Sequence, residues 1–153
     1  MANSFSYSVR TTLDRDRVWE LLQDIQIWIR VSDVYDNAEW SGIPWVPGSC
    51  ITGRLKYPLE ISFRYVLERY EPPALISYLA HSLEAGFATH RTVELEASDG
   101  GTLIKITSYV VGDSEVLEEG FAFLKALTEK WFQGFARFCN SQAGNSAPKD
   151  RHS

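Results

Sequence analysis

The chain has 153 residues, a length that suits a single domain with its own hydrophobic core. Its formal net charge of -5 gives no electrostatic reason to bind nucleic acid or an anionic membrane surface. No apolar run approaches the roughly 20 residues that a membrane-spanning helix needs. The composition therefore predicts a soluble globular protein with no nucleic-acid partner and no membrane insertion.

The cysteines and the first residues bear on the cellular compartment. Cys50 and Cys139 are far apart and have no metal-ligand spacing, so they fit free thiols in a reducing compartment better than a disulfide framework. The chain starts without a basic segment followed by an apolar one, the pattern of a secretory signal. These features predict a cytoplasmic location, and no pattern in the sequence indicates a cofactor.

The N-terminal segment predicts one strand followed by two short helices. Phe5, Tyr7 and Val9 alternate with polar residues, which is the period of a half-buried strand. Asp14 is expected to cap the first helix, because its carboxylate can accept hydrogen bonds from free backbone N–H groups. Four apolar residues fall on one helical face, namely Val18, Leu21, Leu22 and Ile25, and a second short helix follows them.

The middle of the chain predicts a loop and then a series of strands. Two prolines and two glycines in residues 41–48 interrupt any regular structure. Alternating segments follow as far as residue 110, and Asp99-Gly100-Gly101 predicts the hairpin turn before the last strand. The segment from Leu75 to Ser82 is also expected to be a strand. Its two faces are equally apolar, so alternation does not orient it.

A long amphipathic helix is predicted to close the fold. Asp113 or Ser114 is expected to cap it, and its apolar stripe ends near Phe138. Gly120 and Gly134 lie inside this helix, where each costs about 1 kcal/mol relative to alanine. Their presence indicates either that another segment approaches closely or that the helix bends.

The domain organisation follows from composition. Residues 1–139 are predicted to form one domain, because there is neither an internal repeat nor a second core-sized segment. Residues 140–153 are small and polar, and we expect them to be a disordered tail.

Several short motifs occur along the chain in a fixed order. They are Val18–Trp28, Trp40, Pro47-Gly48, Tyr70-Glu71-Pro72-Pro73, Val93-Glu94-Leu95-Glu96 and Gly101-Thr102. In this order and spacing they resemble the SRPBCC superfamily, also called START-like or Bet v 1-like, and especially its polyketide cyclase/dehydrase branch. The resemblance covers nearly everything from residue 4 to residue 139.

The resemblance implies a fold and a range of functions. The implied fold is an α+β helix-grip, in which a seven-stranded antiparallel sheet wraps around a long C-terminal helix, with two short helices after the first strand. A hydrophobic cavity between sheet and helix would bind a small apolar or amphipathic ligand such as a lipid, an isoprenoid or a polyketide. Two alternatives stay open: a polyketide cyclase/aromatase or dehydrase acting in the same cavity, and a protein-interaction module whose cavity is filled.

Arg91 is the polar residue from which most can be inferred. If Val93 and Leu95 face the helix, strand alternation turns Arg91 and Thr89 inward as well. A buried charge needs an oppositely charged partner or an escape to water. Arg91 therefore either binds a carboxylate, phosphate or enolate of a ligand, or forms a salt bridge with a protein carboxylate, or extends to solvent at the strand end.

The remaining candidates are hydroxyls and aromatic rings. Alternation also turns Tyr7 inward, where it could fill the core or orient a ligand. His81 and His90 are isolated, so no metal site is predicted. The loop of residues 43–47 is a candidate lid, with Trp40 near the cavity mouth. The predicted ligand-binding residues are Trp40, Phe63, Tyr65, Thr89, Arg91, Ser108, Leu124, Thr128 and Trp131.

Overall fold

The computed structural model describes residues 4–82, 87–112 and 114–152. Seven strands and three helices make up this part of the chain. In chain order they are β1 (Ser4–Thr11), α1 (Arg15–Leu22), α2 (Ile25–Arg30), β2 (Tyr35–Ser41), β3 (Cys50–Leu55), β4 (Ser62–Glu71), β5 (Leu75–Ser82), β6 (Phe87–Ser98), β7 (Gly101–Gly112) and α3 (Ser114–His152).

All seven strands belong to one sheet in the order β1-β7-β6-β5-β4-β3-β2. Every neighbouring pair is antiparallel. The long helix α3 packs against β1, β7 and β6. The predicted helix-grip fold class is therefore confirmed. Helix α3 begins at Ser114, whereas the alternative cap Asp113 lies outside the described residues. No helix in the described ranges is both long enough and apolar enough to cross a bilayer.

Strand β2 is the strand that alternation in the sequence did not reveal. Its pairing with β3 shifts register between Tyr35 and Asn37, which is a β-bulge. Because of the extra residue, Tyr35 and Ala38 are both buried although they are three positions apart. A bulge of this kind removes the period of two that identifies a half-buried strand.

Strand β5 is oriented by its contacts. Ile76 and Tyr78 belong to the buried core cluster between the sheet and the helices. Ser77, which alternation places on the opposite face, is also buried. Both faces of this segment thus include a buried residue, and the half-buried Leu75 and Leu79 make the outer face as apolar as the inner one.

The two short helices begin at aspartates that behave differently. Asp14 stands at the N-cap of α1 with an extended backbone, but its side chain makes no capping hydrogen bond. The predicted role of its carboxylate is therefore wrong; the Asp14 carbonyl instead accepts from the backbone N–H of Val18 at 3.0 Å. Asp24 does cap α2, because its Oδ1 accepts from the backbone N–H of Gln26 at 3.0 Å.

The two glycines of α3 mark places where the helix is approached closely. A Cβ atom at Gly134 would lie 2.5 Å from the backbone oxygen of Val31 and 2.8 Å from Cβ of Ser32. A Cβ atom at Gly120 would lie 2.9 Å from Cγ1 of Val110. Close approach, the first of the two predicted explanations, therefore accounts for both glycines.

Helix α3 continues beyond its predicted end near Phe138. The side-chain oxygen of Asn140 accepts hydrogen bonds from Thr11 Oγ1 at 2.9 Å and from the backbone N–H of Thr12 at 2.8 Å. Ala143 still packs against the core. This last contact between α3 and the end of β1 was not visible in the sequence, because Asn140 lies 129 positions from Thr11. The division into a domain of residues 1–139 and a tail of residues 140–153 stays a prediction.

Candidate functional site

The candidate site lies between the inner face of the sheet and α3, with Arg91 at its centre. Strand register places Arg91 opposite Tyr78 on β5 and opposite Ser108 on β7. Helix α3 adds Thr128 from above the sheet. Arg91 is 3% exposed, so its predicted inward orientation is confirmed. The two central strand pairings and the helix thus bring one guanidinium and three hydroxyls together.

Arg91 donates hydrogen bonds to all three hydroxyls. Its Nε lies 3.4 Å from Ser108 Oγ and its Nη1 lies 3.2 Å from the Tyr78 hydroxyl. Its Nη2 donates a short hydrogen bond to Thr128 Oγ1. The guanidinium carbon also lies 5.9 Å from the ring centre of Phe132. The charge is therefore held by neutral hydroxyls and by an aromatic face.

The Arg91 charge has no anionic partner within the described part of the chain. The ion pairs there join other residues, all with at least a quarter of one side chain exposed. Burial lowers the pKa of Arg91, but the nearby phenols, Tyr78 first, raise that pKa by more. The guanidinium therefore stays charged. Neither the predicted salt bridge nor the predicted extension to solvent describes this side chain.

A second hydroxyl pair lies beside this cluster. The hydroxyls of Tyr35 and Tyr65 are 2.8 Å apart, and the ring of Tyr65 stacks on that of Tyr78 with centroids 4.6 Å apart. Burial is the main reason that the pKa values of Tyr35 and Tyr65 are raised above the ordinary value of 10.0. Both phenols are therefore neutral near pH 7 and leave the Arg91 charge uncompensated.

Two small cavities adjoin Arg91. The first, of about 10 Å³, is lined by Leu22, Trp28, Tyr35, Ile76, Tyr78, Arg91, Val93, Trp131 and Phe132. The second, of about 30 Å³, is lined by Leu55, Ile61, Phe63, Tyr65, Tyr78, Ala80, His81, Phe87, Thr89, Arg91, Phe123, Leu124 and Leu127. Arg91 and Tyr78 line both cavities, so these two side chains form the partition between them.

Aromatic side chains fill most of the interior around these cavities. Trp28 contacts the rings of Tyr35, Tyr65 and Trp131 at centroid distances of 5.8 to 6.3 Å. Its indole N–H donates to the Leu22 carbonyl at 2.6 Å. A volume of roughly 10–15 Å³ is needed to hold one water molecule. The two cavities thus have room for a few waters at most, and a larger guest must displace side chains.

The structure gathers most of the predicted site residues around this interior. Phe63, Tyr65, Thr89 and Leu124 line the larger cavity, and Trp131 lines the smaller one. Ser108 and Thr128 are fully buried and hold Arg91. These seven residues, with Arg91, thus form one continuous group. Their role in binding a ligand stays a prediction.

Trp40 is the predicted residue that lies elsewhere. It lines neither interior cavity and instead borders a surface groove together with Trp45. The two indole rings meet edge to face with centroids 4.9 Å apart. The position of Trp40 near a cavity mouth stays a prediction; next to it, the ring of Trp45 lies 6.3 Å from that of Trp28.

The predicted lid loop is anchored by its tryptophan. Trp45 donates from its indole N–H to the Gln23 carbonyl at 2.8 Å and stacks on Tyr70 with centroids 5.3 Å apart. Its backbone has a φ of 63°, in the left-handed region that non-glycine residues seldom adopt. The neighbouring Ile43 points to solvent and is 70% exposed. The loop is therefore held against Gln23, which follows α1, and against Tyr70 on β4, and it presents an apolar residue outward.

Two site residues escaped the sequence analysis. Tyr78 lies on β5, whose faces could not be told apart, and Tyr35 lies at the bulge that hides β2. A signal for Tyr78 was nevertheless present. Residues directly opposite each other on neighbouring antiparallel strands point to the same face of the sheet. An inward Arg91 therefore implies an inward residue opposite it on each neighbouring strand.

The histidines and cysteines stand apart from the cluster on Arg91. His90 lies on the outer face of the sheet, where its Nε2 is 2.6 Å from Glu68 Oε1, and His81 borders the larger cavity. Burial raises the pKa of the Cys139 thiol to about 12, so this thiol is not an activated nucleophile. Among the residues that the structure describes, no three potential metal ligands come together.

The arrangement can supply hydrogen-bond donors and one positive charge to a guest. Such groups orient an acceptor and stabilise negative charge that develops on it. The neutral phenols of Tyr35 and Tyr65 are weak bases, and the pairing of His81 with the exposed Arg64 turns the His81 imidazole to the outer face of the sheet. The described residues of this interior are therefore suited to the recognition of an acceptor or an anion.

Comparison with known proteins identifies the fold. No protein-family model and no curated protein sequence matches the chain. Among solved structures, an uncharacterised protein from Rhizobium leguminosarum is similar, with a TM-score of 0.74, 17% identity, and coverage of 90% of this chain and 94% of the other. Ara h 8.0201, a Bet v 1 homologue, has a TM-score of 0.73 at 12% identity, with coverage of 90% and 97%.

A third similar structure is protein CV1439 from Chromobacterium violaceum, with a TM-score of 0.70 at 13% identity over 92% of this chain and 99% of the other. At such low identities the likeness concerns the arrangement of the backbone. The seven-stranded antiparallel sheet, the two short helices after β1 and the long C-terminal helix together make this chain a Bet v 1-like helix-grip protein in fold.

Proposed function

We propose that this protein binds a small hydrophobic or amphipathic molecule in the space between the sheet and α3. The observation that carries the proposal is the pair of cavities beside Arg91, both of which are lined by Arg91 and Tyr78. Both are lined mainly by apolar and aromatic side chains, with a few convergent polar groups. This composition is typical of small-molecule sites.

Binding requires the interior to open. The cavities of about 10 and 30 Å³ are too small for a lipid or a polyketide, so side chains such as Tyr78 must move when a guest enters. The apolar area removed from water then supplies roughly 25 cal/mol per Å², less the free energy of opening and of association. We therefore expect moderate affinity that depends strongly on the volume of the interior.

Altering the volume of the larger cavity tests the proposal. Leu124 is buried and lines this cavity, so Leu124→Ala enlarges it and Leu124→Trp fills it. We expect the fluorescent probe N-phenyl-1-naphthylamine to bind Leu124→Ala more tightly than the wild type. It should not bind Leu124→Trp. Ala80→Leu fills the same cavity with a smaller increase in side-chain volume. It replaces Leu124→Trp in the experiment if that variant does not fold.

The matched control is on the surface. Ile43→Ser removes an exposed apolar side chain far from the cavities and should leave the affinity for the probe unchanged. Circular dichroism establishes that each variant is folded. Loss of probe binding in Ile43→Ser, with retention in Leu124→Trp, would show that the probe binds the surface and would contradict the proposal.

A second candidate, a protein-interaction module, is favoured by a different observation. The interior is nearly full, while Ile43 and Val46 are 70% and 44% exposed on one anchored loop. Exposed apolar residues close together are a common feature of interaction sites. The test is to capture partners from a host extract with two variants. This candidate is supported over ligand binding if Leu124→Trp retains a partner that the double variant Ile43→Ser/Val46→Ser loses.

A further inference from the structure

The interior has more hydrogen-bond donors than the described residues can use. A guanidinium carries five N–H groups, of which three have partners here, so two have no acceptor among the residues that the structure describes. The Tyr78 hydroxyl accepts from Arg91 and still has its own proton to donate. The hydroxyls of Tyr35 and Tyr65 share one hydrogen bond, in which only one of them donates. The other hydroxyl still has its proton to donate. An occupant of this interior is therefore expected to bring acceptors.

The charge balance specifies the acceptor further. Among the described residues that line either cavity, Arg91 is the one lysine or arginine, and none is a glutamate or an aspartate. A guest with a single negative charge would neutralise the guanidinium. A doubly charged group such as a phosphate monoester would leave one buried charge unpaired, which is strongly unfavourable.

The Tyr78 hydroxyl occupies the place that such an anion would take. It is a neutral acceptor, 3.2 Å from Nη1 of Arg91, and its side chain is part of the partition between the two cavities. A carboxylate is the stronger acceptor, because hydrogen bonds between ionised partners are roughly twice as strong as neutral ones. Displacement of Tyr78 by a carboxylate would also join the two cavities into one larger space.

We infer that the natural ligand is an amphipathic monocarboxylic acid whose carboxylate replaces the Tyr78 hydroxyl on Arg91 while its apolar body occupies the joined cavities. This inference rests on the proposed interior binding. The single guanidinium orients the carboxylate, and Ser108 and Thr128 hold that guanidinium in place from β7 and α3.

The experiment compares an acid with a neutral molecule of the same chain length. Decanoate and 1-decanol are titrated against the protein at pH 7.5 by displacement of N-phenyl-1-naphthylamine and by calorimetry. We expect the wild type to prefer decanoate roughly 10- to 100-fold, the range that corresponds to a hydrogen bond with a charged partner. Arg91→Met should reduce this preference to about one while 1-decanol still binds, because only the charged contact is removed.

Two further variants separate charge from shape. Arg91→Lys keeps the charge but loses the planar fork, so part of the preference should remain; this variant also serves if Arg91→Met does not fold. Tyr78→Phe removes the competing hydroxyl at nearly constant volume and should keep or increase the preference for decanoate. A loss of preference in Tyr78→Phe equal to that in Arg91→Met would overturn the displacement of Tyr78.

The outcomes distinguish this inference from the proposed function. Equal binding of decanoate and 1-decanol by the wild type, or a preference that survives in Arg91→Met, would overturn the inference and leave interior binding intact. Absence of binding of every probe to the wild type and to Leu124→Ala would overturn both. In that case Arg91 is a structural residue whose spare donors are satisfied by water.

Discussion

Arg91 occupies a buried position, in which a positive charge is energetically unfavourable. Its hydrogen-bond partners are three hydroxyls, and a buried cation held only by neutral groups stabilises a fold less than apolar packing of similar volume would. Strand alternation predicted that this residue points inward, because Val93 and Leu95 share its face. The identity of its partners could not be predicted, since they come from β5, β7 and α3.

The neutral phenols at the centre of the molecule make its stability sensitive to alkaline pH. The pKa values of Tyr35 and Tyr65 are raised in the folded protein, so the native state keeps protons that the unfolded state releases above about pH 10. This stabilisation is fully present below the unfolded pKa and is lost as the pH rises through the folded one. We expect the free energy of unfolding in urea to begin to fall near about pH 10 and to keep falling as the pH is raised further.

The variant Tyr65→Phe tests the origin of this pH dependence. It removes one of the two phenols whose pKa is raised by burial, so its free energy of unfolding should fall less steeply over the same pH range. Tyr109→Phe is the matched control, because Tyr109 is 42% exposed on the outer face of the sheet. The explanation fails if both variants keep the slope of the wild type.

At the scale of elements, the two glycines of α3 lie where this helix approaches other segments most closely. An alanine in place of a helical glycine usually stabilises a helix by about 1 kcal/mol. At Gly134 the added Cβ would lie 2.5 Å from the Val31 carbonyl oxygen, a backbone atom that cannot move aside easily. We therefore expect Gly134→Ala to destabilise the protein by roughly 1–3 kcal/mol in urea denaturation, as overpacking does.

Gly120→Ala provides the comparison within the same helix. Its Cβ would meet the side chains of Val110 and Phe87, which can shift more easily than backbone. The loss of stability in Gly120→Ala should therefore be smaller than in Gly134→Ala. A gain of stability at Gly134 would mean that α3 does not approach α2 as closely as the structure shows.

At the scale of the whole molecule, the end of α3 connects to the start of the sheet through Asn140. The Asn140 oxygen accepts from Thr11 Oγ1, Thr12 N and Thr12 Oγ1 at 2.8 to 3.2 Å. A chain ending after Ala143 keeps these hydrogen bonds and should be as stable as the full chain. A chain ending after Cys139 loses them and should be less stable by roughly 1–3 kcal/mol, measured by urea denaturation.

This comparison also tests the predicted domain boundary at residue 139. Equal stability of both shortened chains would support a domain that ends there and would contradict the structural role given to Asn140. The single substitution Asn140→Ala is the control for effects of chain length. It should reproduce most of the loss seen in the chain that ends after Cys139.

Much of this architecture was determined by the sequence alone, because it depends on local patterns. The alternation in β1, the Asp99-Gly100 turn with its φ of 79° at Gly100, and the apolar stripe of α3 each follow from neighbouring residues. The number of strands came from the family resemblance, because the bulge at Tyr35 hides β2 from its own pattern.

The interior was decided only by the tertiary structure. Tyr78, Arg91 and Thr128 are brought together by cross-strand register and by the docking of α3, which are relations between residues up to 50 positions apart. The volume left between sheet and helix likewise depends on how Trp28, Tyr35 and Trp131 pack against one another. Patterns along a chain specify which side chains point inward, whereas only packing in three dimensions determines what each of them touches and how much space remains.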